Sequence, residues 1–159
     1  MGDHAGVTRA VLRALPLAIL FAAQTVALTA QTGPAAPSIV YKLSFPQREH
    51  RLLDVTVTFN EVPDGPLRLH MSRSSPGRYA LHQFAKNVFD LKVDDGAGAP
   101  LAFTHTKPEE WVVPAHGRAL NVSYRVFGDR VDGTYLGVDV THAHINMPAA
   151  ILWAVGLER

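Results

Sequence analysis

The sequence contains no cysteine, so whatever core it forms must hold without covalent staples. Positive charge is scarce as well. The formal net charge is +1, and Arg9, Arg13 and Asp3 account for all of it, leaving the rest of the chain near neutral. Nucleic-acid binding, which needs cationic side chains concentrated on one face, is therefore excluded. There is no H-E-x-x-H segment and no His-Glu dipeptide anywhere. This excludes the helical zinc site in which two histidines one turn apart face one metal beside a catalytic glutamate. Ser74 and Ser75 lie in no G-x-S-x-G context, so a nucleophilic serine has no support. No internal repeat, low-complexity tract or heptad pattern is present.

Residues 1–30 have the order of a secretory signal peptide. Arg9 and Arg13 precede an apolar run from Ala14 to Ala23, and small residues follow to Ala27 or Ala30. The run is too short to span a bilayer comfortably. Leu28 and Thr25 sit at the third position before the two cleavage points, which keeps an uncleaved anchor as an alternative. Residues 31–37, with Pro34 and Pro37, read as a flexible lead-in. The remainder, residues 38–159, has the size of one domain. The leader predicts a periplasmic or secreted location.

That remainder alternates with a period of two. Ile39, Tyr41, Leu43 and Phe45 form one apolar set, stopped by Pro46. Leu53, Val55, Val57 and Phe59 alternate with Asp54, Thr56 and Thr58, the pattern of a strand with one buried and one polar face. Leu67, Leu69 and Met71 follow the turn Pro63-Asp64-Gly65-Pro66. Further strands are expected from Phe89, Leu91 and Val93, over Leu101 to Thr106, over Trp111 to Val113 and over Leu120 to Phe127. Short strands separated by turn signals predict an all-β fold, an antiparallel β-sandwich. At most one short helical turn, within Leu81 to Val88, is expected.

The stretch Ser72 to Val88 fits neither period. Ser74-Ser75-Pro76-Gly77 breaks the preceding strand. Tyr79, Leu81 and Phe84 then offer apolar anchors beside Arg73, Arg78, His82, Lys86 and Asn87, as in a loop that packs on itself and presents groups to a partner. A plain crossover between sheets is the bland alternative. Ser75-Pro76-Gly77-Arg78-Tyr79 and Phe84-Ala85-Lys86-Asn87-Val88 resemble the N-terminal domain of the glycyl aminopeptidase family of zinc metallopeptidases. Tyr41 to Pro46 and His142-Ala143-His144-Ile145-Asn146, running into the apolar Ala149 to Val155, agree with it in order. One departure is Ser74, where that family commonly has tryptophan.

The resemblance implies an N-terminal β-sandwich that precedes a thermolysin-like catalytic domain and usually a PDZ domain. It implies no catalytic residue in this chain and no cofactor here, zinc belonging to the catalytic domain. The implied partner is a metallopeptidase catalytic domain, in cis or in trans, with peptide substrate as a further contact. By the same likeness His142, His144 and Asn146 fall at the edge of the substrate cleft, and Arg73, Arg78 and Tyr79 are placed there too. From the residues alone, His142 and His144 would share one face of a strand. That leaves open a metal, with Asp139, His70, His82 or His105 as scattered further ligands, a ligand or domain contact, or hydrogen-bonded structural histidines. Arg73 and Arg78 could each pair with a carboxylate, or lie solvated while Tyr79 plugs the sandwich end. Trp111 and Trp153 are read as packed rather than as a sugar platform, and Ile151, Leu152 and Trp153 as an apolar patch facing the partner. A rival reading is a stand-alone periplasmic carbohydrate- or peptide-binding module.

Overall fold

Alternation of apolar and polar side chains generates two antiparallel sheets whose apolar faces meet. A computed structural model describes residues 38–157; the leader and lead-in expected over residues 1–37 lie outside the described residues. The first sheet has the order β1 (Ile39–Ser44), β2 (Leu52–Phe59), β7 (Leu120–Phe127), β4 (Val88–Asp94). The second has the order β10 (Leu152–Ala154), β3 (Leu67–Met71), β6 (Glu110–Val113), β5 (Thr104–Lys107). A two-stranded ribbon, β8 (Gly137–Val138) with β9 (Ala143–His144), completes the set. Leu53, Val55, Val57 and Phe59 of β2 are all buried, as are Leu120, Val122, Tyr124 and Val126 of β7. Their register pairs Val55 with Tyr124 and Val57 with Val122, so like faces coincide across the ladder. Leu67, Leu69, Met71, Val113 and Leu152 close the core from the second sheet.

Two hydroxyls tie the sheets together. Tyr124, on β7, donates to Ala150 O at 3.1 Å and accepts from Leu152 N at 2.9 Å. Tyr41, on β1, donates to Leu152 O at 3.1 Å. The phenol of Tyr124 is buried, and that burial pushes its pKa well above the ordinary tyrosine value.

Several expectations are corrected. In β4, Phe89 is exposed and Val88, not Phe89, packs against the core. A bulge between Phe89 and Lys92 inserts extra residues, and Asp90 takes φ 52° there, so the alternation changes face partway along the strand. The Asp90 carboxylate is held by Arg125 of β7. Extended structure begins at Thr104 rather than Leu101. Leu101 and Phe103 instead lean on the core ahead of the edge strand, whose four residues are all exposed. Besides the turn expected within Leu81 to Val88, found at Phe84–Asn87, the described residues contain two more single 3-10 turns, Arg48–His50 and Met147–Ala149. Each is too short for an alternating pattern to reveal. The apolar patch expected at Ile151 to Trp153 is not presented as such. Leu152 is buried, Ile151 and Trp153 are half-buried, and pairing of β10 with β3 lays the Trp153 ring 5.4 Å from His70. Trp111 is buried, with the His105 ring stacked on it at 4.8 Å.

Glu110 is the one buried carboxylate among the described residues. Arg68 Nε donates to it at 3.1 Å, and Thr106 Oγ1 donates at 2.9 Å. His70 Nε2 lies 3.4 Å away and Lys107 Nζ 3.6 Å away. The Arg68 and Thr106 bonds hold its pKa down to about 2.

Two tests follow from these contacts. Tyr124→Phe leaves Ala150 O and Leu152 N without the shared hydroxyl and should cost about 1–3 kcal/mol in urea unfolding, the range for orphaned buried polar groups. Tyr41→Phe, at a half-buried site, should cost less. Because the folded pKa of Glu110 is depressed, its contribution is present above the unfolded value of 4.5 and lost as pH falls toward about 2. The stability gap between wild type and Glu110→Gln should therefore be largest near neutral pH and shrink between pH 4.5 and 2. A gap independent of pH in that window would contradict this account.

Candidate functional site

The sequence-predicted site residues come from two separate stretches, and the fold joins them only in part. Ser72 to Val88 leaves β3, turns at Ser75 with Arg78 N donating to Ser75 O at 3.1 Å, and closes with His82 N donating to Arg73 O at 2.8 Å. Gly77, at φ 73°, occupies the left-handed region that the turn requires. Phe84 then plunges into the core, where the 3-10 turn Phe84–Asn87 leads into β4.

The second stretch is the double turn between β7 and the last 3-10 turn. Val138 N donates to Gly128 O at 2.9 Å and Arg130 N to Leu136 O at 3.2 Å. A Cβ at Gly137 would fall 2.9 Å from Arg130 O, which is why glycine stands where this loop crosses itself. Asp132 Oδ1 accepts from Thr134 N at 2.9 Å and Tyr135 N at 3.2 Å, and these bonds lower its pKa. Asp139 Oδ1 accepts from Thr141 Oγ1 at 2.6 Å, Thr141 N at 2.7 Å and His142 N at 2.9 Å. Led by the Thr141 hydroxyl, these donors bring the Asp139 pKa to about 2.

Asn146 joins the stretches. Its Nδ2 donates to Ser75 Oγ at 3.0 Å and also to Thr134 O. Arg78 Nη2 adds a bond to Asp132 O at 3.3 Å. Behind them His82 Nδ1 lies 3.2 Å from the Tyr135 hydroxyl, the His82 ring stacks on Phe84 at 4.9 Å, and the Arg130 guanidinium lies 4.4 Å over the Tyr135 ring. His82, Tyr135 and Thr134 carried no signal in the sequence that would have joined them to Asn146. Their proximity is a product of the loop crossing.

Of the residues singled out, Asn146, Arg78 and Tyr79 therefore share one rim. Tyr79 is fully exposed and plugs nothing, lying beside the exposed Arg78–Asp132 contact. Leu81 is exposed too, so Phe84 alone of the three expected anchors is buried. Arg73 points elsewhere and lies 3.6 Å from Glu109. His142 and His144 are exposed, but they do not share a strand face. β9 contains only Ala143 and His144, and His142 belongs to the turn before it. The His142 imidazole is committed to Asp139 Oδ2 at 3.0 Å and lies 3.0 Å from Thr141 Oγ1. The other histidines named with them are dispersed: His70 by Glu110, His82 on Tyr135, His105 on Trp111. Among the described residues no three His, Asp or Glu side chains are grouped to hold a metal ion, so these residues do not fit a zinc site.

Replacing Asn146 with alanine should free the Ser75 and Thr134 ends from each other. Amide exchange over residues 73–82 and 130–136 should then rise about tenfold or more while that of β2 and β7 stays unchanged.

Comparison with known proteins agrees with this architecture. A search of curated proteins returned no match. Among solved structures, a crystal structure of an aminopeptidase N family protein from Idiomarina loihiensis superposes with a TM-score of 0.70 at 19% identity. The match covers 74% of this chain and 20% of that one, so this chain spans about a fifth of its length, and the likeness is one of fold. Residues 40–159 match the family described as the Peptidase M61 N-terminal domain, in keeping with the resemblance carried by Ser75 to Tyr79 and Phe84 to Val88. The match takes in the ten strands of the described residues, save Ile39 at the start of β1, and both stretches of the rim, and the chain belongs to the Peptidase M61 N-terminal domain family.

Proposed function

We propose that this domain is the non-catalytic N-terminal domain of a glycyl aminopeptidase-like zinc metallopeptidase, supporting the peptidase domain and bordering its substrate cleft. The observation that carries the reading is the family match across the whole sandwich. The aminopeptidase N family neighbour, five times longer than the matched part, supports the same arrangement of a β-domain within a larger peptidase.

The rim supplies the contact. Tyr79, Leu81, Val131 and Met147 are exposed apolar side chains on the three segments that Asn146 and Arg78 tie together. Apolar groups gathered on rigidly bonded loops favour a protein interface over free solvent. His142, His144 and Asn146 lie in the last of these segments, where the cleft edge is proposed, with Arg78 and Tyr79 beside them. Arg73, facing Glu109, contributes least to that edge. Zinc belongs to the peptidase domain in this reading. The signal-peptide pattern read in residues 1–30 supports a periplasmic or secreted location in this proposal.

Two measurements test it. Sequencing of the transcript across the Arg159 codon is expected to show an open frame running into an H-E-x-x-H segment. A stop there, with a soluble monomer that no peptidase domain binds, would favour the carbohydrate- or peptide-binding module instead. In a chimera carrying residues 38–157 on the peptidase part of an M61 relative, Leu81→Asp should weaken domain association about tenfold or more without lowering the midpoint of unfolding of the isolated domain. His144→Ala should raise KM for glycyl peptides. Unchanged association and KM in both variants would defeat the proposal.

A further inference from the structure

On the far side of His82 from the rim lies a cleft of about 440 Å³, between the 82–86 segment and the hairpin of β5 and β6. Its lining includes Arg73, Phe84, Lys86, His105, Lys107 and Glu109, together with His82. We propose that this cleft binds a carboxylate attached to a flat apolar group, a site distinct from the rim and independent of whether a peptidase domain adjoins it.

The charge balance points to an anion. Three of the lining side chains are permanent cations, and Glu109 is the one carboxylate among those named. Arg73 lies 3.6 Å from Glu109 and Lys107 lies 3.6 Å from Glu110, whereas Lys86 makes no ion pair among the described residues. Glu110 is already held by Arg68 and Thr106, so Lys107 is a surplus cation there. A guanidinium and two ammonium groups around one opening suit a carboxylate, whose hydrogen bonds to charged donors are stronger than neutral ones.

A second, independent observation is His82. Its Nδ1 lies 3.2 Å from the Tyr135 hydroxyl, and Nε2 of the same ring is buried without a partner. A buried ring nitrogen left unpaired is costly and calls for a polar partner.

The apolar part follows from the walls. The buried Phe84 carries the His82 ring stacked on it at an interplanar angle of 13°, and His105 lies parallel to Trp111 at 5°. Imidazole faces held flat at one opening match a planar group better than a branched aliphatic one. The volume is that of a small-molecule or single-residue site, mainly apolar with a few convergent polar groups.

The test uses the 159-residue chain and four probes: 3-phenylpropionate, 3-phenylpropanol, acetyl-Ala-Phe with a free carboxylate, and its amide. Saturable binding by calorimetry is expected for the carboxylates and not for their neutral partners. Raising salt from about 0.05 to about 0.5 M should weaken it, since partly exposed charge pairs are screened. Lys86→Ala should weaken it roughly tenfold, the value of one hydrogen bond to a charged group, while Lys42→Ala on β1 removes the same charge and should leave it unchanged. Lys86 and Lys42 are both exposed, so neither change threatens folding. Binding of phenylpropionate alone would identify a free small acid as the ligand class, and binding of the free-acid dipeptide a peptide end. Equal binding of the neutral probes, equal loss in the two lysine variants, or no saturable binding of either acid would overturn the proposal.

Discussion

One hydroxyl group sets much of this structure. Tyr124 stands in the middle of the first sheet, and its oxygen both donates to Ala150 O and accepts from Leu152 N of the second. It thereby determines where the last strand enters the fold. Once Leu152 is held there, β10 can pair with β3 only in the register that sets Trp153 beside His70. Asn146 lies four residues ahead of Ala150, across one 3-10 turn, so the same anchor brings its amide within reach of Ser75 and Thr134. A bond in the core thus governs a contact at the surface.

The carboxylates around the rim serve architecture rather than proton transfer. Asp132 and Asp139 each collect hydrogen bonds from donors of their own turns, and those bonds lower both pKa values. A carboxylate held ionised in this way shapes a loop well and makes a poor general acid near neutrality. His142 is likewise engaged with Asp139. The rim is a surface held by its own hydrogen bonds, with Tyr79, Leu81, Val131 and Met147 left exposed outside that polar network. The cleft on the other side of His82 has the opposite character, with an apolar floor and cations around its mouth.

Period-two alternation made β1, β2, β3 and β7 legible from the residues, because burial of one face imposes the pattern directly. The same argument found β4 and the inward Leu91 and Val93 but misplaced Phe89. A bulge at Asp90 puts Val88 rather than Phe89 inward at the start of the strand, and a local count of alternation contains no sign of it. The loop from Ser72 to Val88 was recognisable by its Ser-Ser-Pro-Gly turn and its mixed composition. Which of its aromatic and aliphatic residues would be buried was not, since Tyr79, Leu81 and Phe84 differ in environment rather than in kind. His142 and His144 looked like a pair on a strand, but the strand begins between them.

The sequence by itself determined the all-β class, the main strand positions, the lack of a zinc-binding helix and the family likeness, all of which depend on local pattern or on particular residues in order. The tertiary structure alone decided the union of Asn146 with Ser75 and Thr134, the burial of Glu110 beneath Arg68, and the cleft between Lys86 and His105. These join residues far apart in the chain, and their distances are set by sheet register and by where the Tyr124 hydroxyl pins the last strand. Neither is encoded within any single segment.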